Sequence, residues 1–168
     1  MGSKTIANGL YYERLTDLSD KYTTMSLDKP YKYIKSTDYD YVFIQANRGG
    51  LFNYMKDKMN HKIPHAHGCK QPDECYINEK NNTIIIIEKK FQNCNGSVCE
   101  KIQSPDFKLW QYKRLFPTYK IKYVYCLSDW FMYNCSAELE YLNYKNIPVF
   151  WGDDEDYKSK LIEFIIKS

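Results

Sequence analysis

Apolar positions along the chain change period several times, and each change marks an element. Leu10, Leu15, Leu18 and Tyr22 recur at roughly helical spacing, with Glu13, Asp17 and Asp20 among them, which predicts a helix from about Thr5 to Tyr22. Asp28-Lys29-Pro30 breaks the pattern, because the residue before a proline is pushed out of helical geometry. Tyr41 to Ile44 is β-prone, Arg48-Gly49-Gly50 reads as a loop, and Leu51 to Met59 as a short helix. Asp73 to Asn78 and Thr83 to Phe91 read as two strands joined by a turn over Glu79 to Asn82, where asparagine tolerates positive φ. The second strand holds four consecutive isoleucines, Ile84 to Ile87, with no polar alternation, so both of its faces are expected to be buried. From Val98 to Phe116 the period is helical, with Ile102, Leu109, Tyr112 and Phe116 near one face and Ser104-Pro105 dividing it. A strand over Lys122 to Leu127, a helix over Ala137 to Tyr144, a strand over Ile147 to Trp151 and a helix over Asp153 to Lys167 complete the chain.

This order predicts an α/β (α+β) fold, a mixed central sheet flanked by helices, as one domain over residues 1–168. At 168 residues, 43% of them hydrophobic and 27% charged, the chain has the length and composition of a single globular core rather than a disordered or fibrous protein. Its longest aliphatic run is far short of the ~20 residues a membrane span needs. Met1-Gly2-Ser3-Lys4 has no apolar signal stretch, and Ile6 stands where a myristoylation signal requires Ser or Thr. The expectation is a soluble, unexported, cytoplasmic protein without a membrane partner.

Charge is uneven. Residues 89–122 carry eight basic side chains against Glu100 and Asp106, whereas residues 136–168 carry seven acids against four lysines. Such asymmetry suits a polyanion docking on one face, and equally a solvated surface. Of six cysteines, Cys69 and Cys75, then Cys94 and Cys99, lie near His65 and His67, but their separations are too long for the usual structural zinc pairs. Free thiols are expected instead.

The candidate chemistry lies at the two central strands. Glu88 and Lys90 are two apart on one strand and share a side. Pro72-Asp73 opens the neighbouring strand, and a hairpin centred on Asn81 sets residue 73 against residue 89 or 90. Asp73 and Glu88 therefore converge without any assumption about the distant fold. Two carboxylates with nearby carbonyls and water make the hard oxygen set that Mg²⁺ prefers, and a lysine beside them can position water and neutralise a phosphoryl transition state.

Pro72-Asp73 followed by Glu88-Lys89-Lys90 resembles the motif of the PD-(D/E)XK nuclease superfamily, which includes many type II restriction endonucleases. The resemblance covers about residues 5–128, with the strand and helix of 136–168 beyond the catalytic core. It implies a restriction-endonuclease-like core and Mg²⁺, with Mn²⁺ as a substitute, held by Asp73, Glu88 and the carbonyl of residue 89. Lys90 takes the place of the water-associated lysine, and Glu13 of the first helix that of an additional acid, with Asp17 one turn away as the alternative. It also implies sequence-specific cleavage of double-stranded DNA at a short palindromic site, giving 5′-phosphate and 3′-hydroxyl ends. A homodimer and a cognate DNA methyltransferase are the partners this implies.

Five further residues are candidates for DNA contact. Gln92 continues the Glu88–Lys90 alternation, and Ser97 and Lys101 lie at the following turn. Arg48 is one of only three arginines, and arginine reads guanine edges; His67 stands in the loop before the motif. Competing readings are a structure-selective nuclease, such as a junction resolvase or repair enzyme, and a non-catalytic DNA- or zinc-binding module.

Overall fold

A computed structural model describes residues 2–25, 30–59, 71–94 and 98–168. They form one mixed seven-stranded sheet flanked by six α-helices. Helix α1 (Gly2–Leu15) is followed by strands β1 (Tyr22–Thr24), β2 (Lys32–Ser36) and β3 (Val42–Gln45), then α2 (Gly50–Met59). The central hairpin is β4 (Glu74–Asn78) and β5 (Thr83–Lys90). After it come α3 (Pro105–Leu115), β6 (Lys120–Leu127), α4 (Trp130–Asn134), α5 (Ser136–Tyr144), β7 (Val149–Trp151) and α6 (Tyr157–Lys167).

Strand order follows chain order. The first five strands form an antiparallel meander, and β5, β6 and β7 run parallel. Parallel neighbours require crossovers, which α3 supplies between β5 and β6 and α4–α5 between β6 and β7. Strand β5 lies between the two regimes, paired on both edges, and its four isoleucines are fully buried. Even-numbered Ile84 and Ile86 join a core with α2, α3 and α5 through Leu51, Met55, Tyr112 and Leu142. Odd-numbered Ile85 and Ile87 join a second core with α1 and α6 through Tyr12, Leu161 and Ile165. At the hairpin turn, Asn82 has a φ of 51°, the left-handed conformation asparagine accepts at low cost.

Four expectations are corrected. The first helix stops at Leu15, and Tyr22 begins β1 instead of closing the helix. Thr16 hydroxyl bonds back to the Tyr12 carbonyl at 2.8 Å and the Asp17 carboxylate accepts the Ser19 N–H at 2.6 Å, two local bonds that compete with helix continuation. Among the described side chains of this helix the buried one is Tyr12, while Leu10 and Leu15 are 44% and 52% exposed, so the leucine spacing indicated the wrong face. The last helix begins at Tyr157; Asp153 lies before it and accepts the Asp129 N–H at 2.8 Å. Cys99 and Cys135 are not free thiols but a disulfide, which ties the short 3-10 turn Cys99–Ile102 to the residue before α5, 36 positions away. Strands β1 and β2 and helix α4 are elements that no reading of the periodicity supplied.

Among the described residues, no helix is long and apolar enough to cross a membrane. Gly152, after β7, lies where a Cβ would overlap the Tyr12 hydroxyl and the Thr16 methyl, both buried. Gly152→Ala is therefore expected to destabilise the fold by about 1–3 kcal/mol through overpacking, read as a lower urea midpoint at unchanged slope.

Candidate active site

The site is built by the register of β4 on β5. Glu74 pairs with Ile87 and Asn78 with Thr83, so one further step sets Asp73 against Glu88 rather than against residue 89 or 90. By strand alternation both side chains lie on the face of Ile84 and Ile86. The Lys89 N–H donates to Asp73 Oδ2 at 2.9 Å and fixes that carboxylate at the strand end.

Glu88 is the charge centre of the cluster. Its Oε1 accepts from two ammonium groups, Lys90 Nζ and Lys108 Nζ, each at 2.6 Å. Its Oε2 accepts from the Tyr123 hydroxyl at 3.4 Å. Lys90 Nζ also stands 3.7 Å from Asp73 Oδ2, so this lysine bridges the two acids. Exposure is graded: the Glu88 side chain is 9% accessible and that of Asp73 28%, so the cluster opens to solvent on the aspartate side.

The two carboxyl groups are driven apart in acidity. Burial would raise the Glu88 pKa, but the Lys90 and Lys108 charges and hydrogen bonds outweigh it and hold the group below the usual carboxylate range. Asp73 moves the opposite way: burial and the nearby Glu88 charge raise it, against Lys90 and the Lys89 N–H. A site whose second acid is disfavoured as an anion by its neighbour gains from a further cation. Asp73 and Glu88 are the residues that could hold a divalent ion here, through carboxylate oxygens of which Glu88 Oε1 already accepts two ammonium groups.

On its other side Asp73 lines a cavity of about 600 Å³, shared with Glu13, Asp17, Gln45, Arg48 and Lys89. Glu13 and Arg48, 35 residues apart, meet there in an ion pair at 3.3 Å. Glu13 is near enough for its charge to contribute to the raised Asp73 pKa. Arg48 adopts a φ of 50° and donates its N–H to the Pro72 carbonyl at 2.9 Å, so the left-handed turn after β3 is tied to the residue before Asp73. Thus the acid of α1 and the arginine both reach the margin of the motif, where each neutralises the other.

Lys89 holds a second network on the opposite face. Its side chain is 4% exposed and pairs at 2.6 Å with Glu74, itself 2% exposed. Lys89 also donates to the carbonyls of Thr16 at 3.1 Å and Glu13 at 3.4 Å, locking the end of α1 to the sheet. Glu74 accepts the Tyr76 hydroxyl, and Gln45 donates to Glu74 at 3.4 Å.

Gln92 is buried beyond the end of β5; its amide donates to the Cys94 carbonyl at 2.7 Å and its N–H to Ser128 Oγ at 3.0 Å. Lys101 is exposed on the short turn before α3. Ser97, His65, His67 and Cys69 lie outside the described residues. Of the remaining cysteines weighed for zinc, Cys99 is consumed by its disulfide, Cys94 is exposed, and Cys75 is buried in the core, where burial pushes its thiol pKa up. Cys99, Cys135 and Glu138 lie within 4.8 Å of one another, but two of these three are the bridged sulfurs.

Sequence reasoning missed Lys108 and Glu74. Lys108 was legible: it stands four residues before buried Tyr112, hence on the apolar face of α3, where a lysine needs a partner. Glu74 was hidden because its partner Lys89 lies on the neighbouring strand β5, and only the register of the hairpin shows that both side chains are interior.

No family model, curated protein or solved structure matches this chain.

Removing one member of the buried Lys89–Glu74 pair leaves an uncompensated charge. Lys89→Met is expected to cost about 3–5 kcal/mol, and Lys89→Met with Glu74→Gln much less, in a double-mutant cycle of denaturant unfolding.

Proposed function

We propose that the protein is a Mg²⁺-dependent endonuclease of double-stranded DNA, acting in the cytoplasm as a type II restriction enzyme. The observation that carries this reading is the convergence of Asp73, Glu88 and Lys90 at the solvent-facing end of a buried hairpin. The mixed sheet with helices on both faces and the basic character of residues 89–122 agree with it. The PD-(D/E)XK resemblance of the motif supports the same chemistry.

Asp73 and Glu88 would hold the metal, which would supply Lewis-acid stabilisation of a phosphate oxygen and a more acidic water. Lys90, between the two acids, orients the attacking water and carries positive charge towards the phosphorus as negative charge develops there. In-line attack with departure of the 3′ oxygen leaves a 5′-phosphate and a 3′-hydroxyl. A palindromic target calls for two copies related by a two-fold axis, each cutting one strand, with a methyltransferase of the same specificity protecting host DNA.

One observation favours a second reading. Two lysines already neutralise Glu88, as they would in a non-catalytic DNA-binding module whose acids serve only as structural counter-charges. Incubation of the purified protein with phage and plasmid DNA, with Mg²⁺ or with EDTA, separates the two. Discrete bands that require Mg²⁺ and disappear in Lys90→Ala and Asp73→Asn are expected. A smear points to a nonspecific or repair nuclease. DNA left intact, including branched junctions, rejects catalysis in favour of the binding module.

A further inference from the structure

Lys108 is not part of the sequence motif, yet it touches the motif's central acid as closely as Lys90 does. Both ammonium groups lie 2.6 Å from the same oxygen, Glu88 Oε1. Lys108 comes from α3, the crossover after the hairpin, and its side chain is only 12% exposed. Lys90 has a second acid within reach, Asp73 at 3.7 Å. An oxygen accepting two ammonium donors has little left with which to bind a divalent ion. Glu88 Oε2 is turned to the Tyr123 hydroxyl at 3.4 Å; for the proposed metal to take Oε1, one lysine must yield, and Lys108 is the one not bridged to Asp73.

We propose that Lys108 is a second active-site lysine with two successive positions: counter-ion of Glu88 before the metal binds, then contact to the phosphate of the strand to be cut. The inference rests on the nuclease reading above. In the first position Lys108 keeps a buried carboxylate paired and the site closed to cations. In the second, the released ammonium remains on a rigid helix beside the reacting centre, where the substrate provides a new anion. Metal binding and DNA binding are thereby coupled, because each favours the same displaced Lys108.

The test is Mn²⁺ binding to the free protein by calorimetry, beside single-turnover cleavage, for wild type, Lys108→Met and the conservative Lys108→Arg. Removing a competing charge a few ångströms from the ion is expected to tighten Mn²⁺ binding about tenfold without DNA. Loss of the phosphate contact is expected to lower the cleavage rate at saturating DNA about 100-fold, with Lys108→Arg recovering part of it. Circular dichroism confirms folding of each variant, and a variant that fails to fold is replaced by Lys108→Gln. A purely structural lysine predicts the reverse in binding, since a loosened Glu88 would hold Mn²⁺ more weakly. Weaker or unchanged Mn²⁺ affinity, or unchanged cleavage, therefore overturns the proposal while leaving the nuclease reading intact. A wild-type protein that neither binds Mn²⁺ nor cuts DNA overturns both.

Discussion

Pairing of β4 with β5 is the constraint on which the rest of the molecule depends. Four isoleucines on β5 have their side chains divided between two cores, and a slip of one residue would exchange every one of them between faces. The same register carries Asp73 to Glu88 at one end of the hairpin and places Glu74 and Lys89 on the opposite face. Apolar burial in the middle of the strand thus determines which ionisable groups meet at its end. The parallel edge with β6 adds the third contributor, because the crossover it requires is α3, which brings Lys108 to Glu88.

Charge is arranged in two layers about that end. On one face Glu88 is held ionised by two lysines while Asp73 is pushed towards its neutral form; on the other, Lys89 and Glu74 neutralise each other in the interior. Adjacent lysines 89 and 90 consequently have unlike work. Lys89 fastens α1 to the sheet through the carbonyls of Thr16 and Glu13, and this attachment also sets where the Glu13 carboxylate can reach. Lys90 stays partly exposed between two acids. The Glu13–Arg48 pair at the cavity margin also joins α1 to the neighbourhood of Asp73.

Much of this was legible in the chain. The isoleucine run, the asparagine turn and the two-residue spacing of Glu88 and Lys90 are local signals, and the hairpin they describe is present with its register shifted by a residue or two. The alternation of helical and strand-like segments after residue 98 likewise marked the strands and helices that the structure arranges as the parallel half of the sheet. What escaped reading depended on distant partners. Leu10 and Leu15 have helical spacing, but packing of α1 against Gly152 selects Tyr12 as the buried side chain. Short β1 and β2 owe their form to pairing with neighbours rather than to their own periodicity. The disulfide joins cysteines that become adjacent only after the crossovers are laid down. The meeting of Glu13 with Arg48 needs α1 docked first, so no spacing in the chain announces it.

We propose that Asp73 and Glu88 form a metal seat. Crystals soaked in Mn²⁺ and measured at a wavelength where manganese scatters anomalously address it directly. An anomalous peak coordinated by carboxylate oxygens of both Asp73 and Glu88 is expected, with the Lys108 ammonium withdrawn from Glu88. A peak confined to other residues, or no peak while both lysines remain on Glu88, would contradict it.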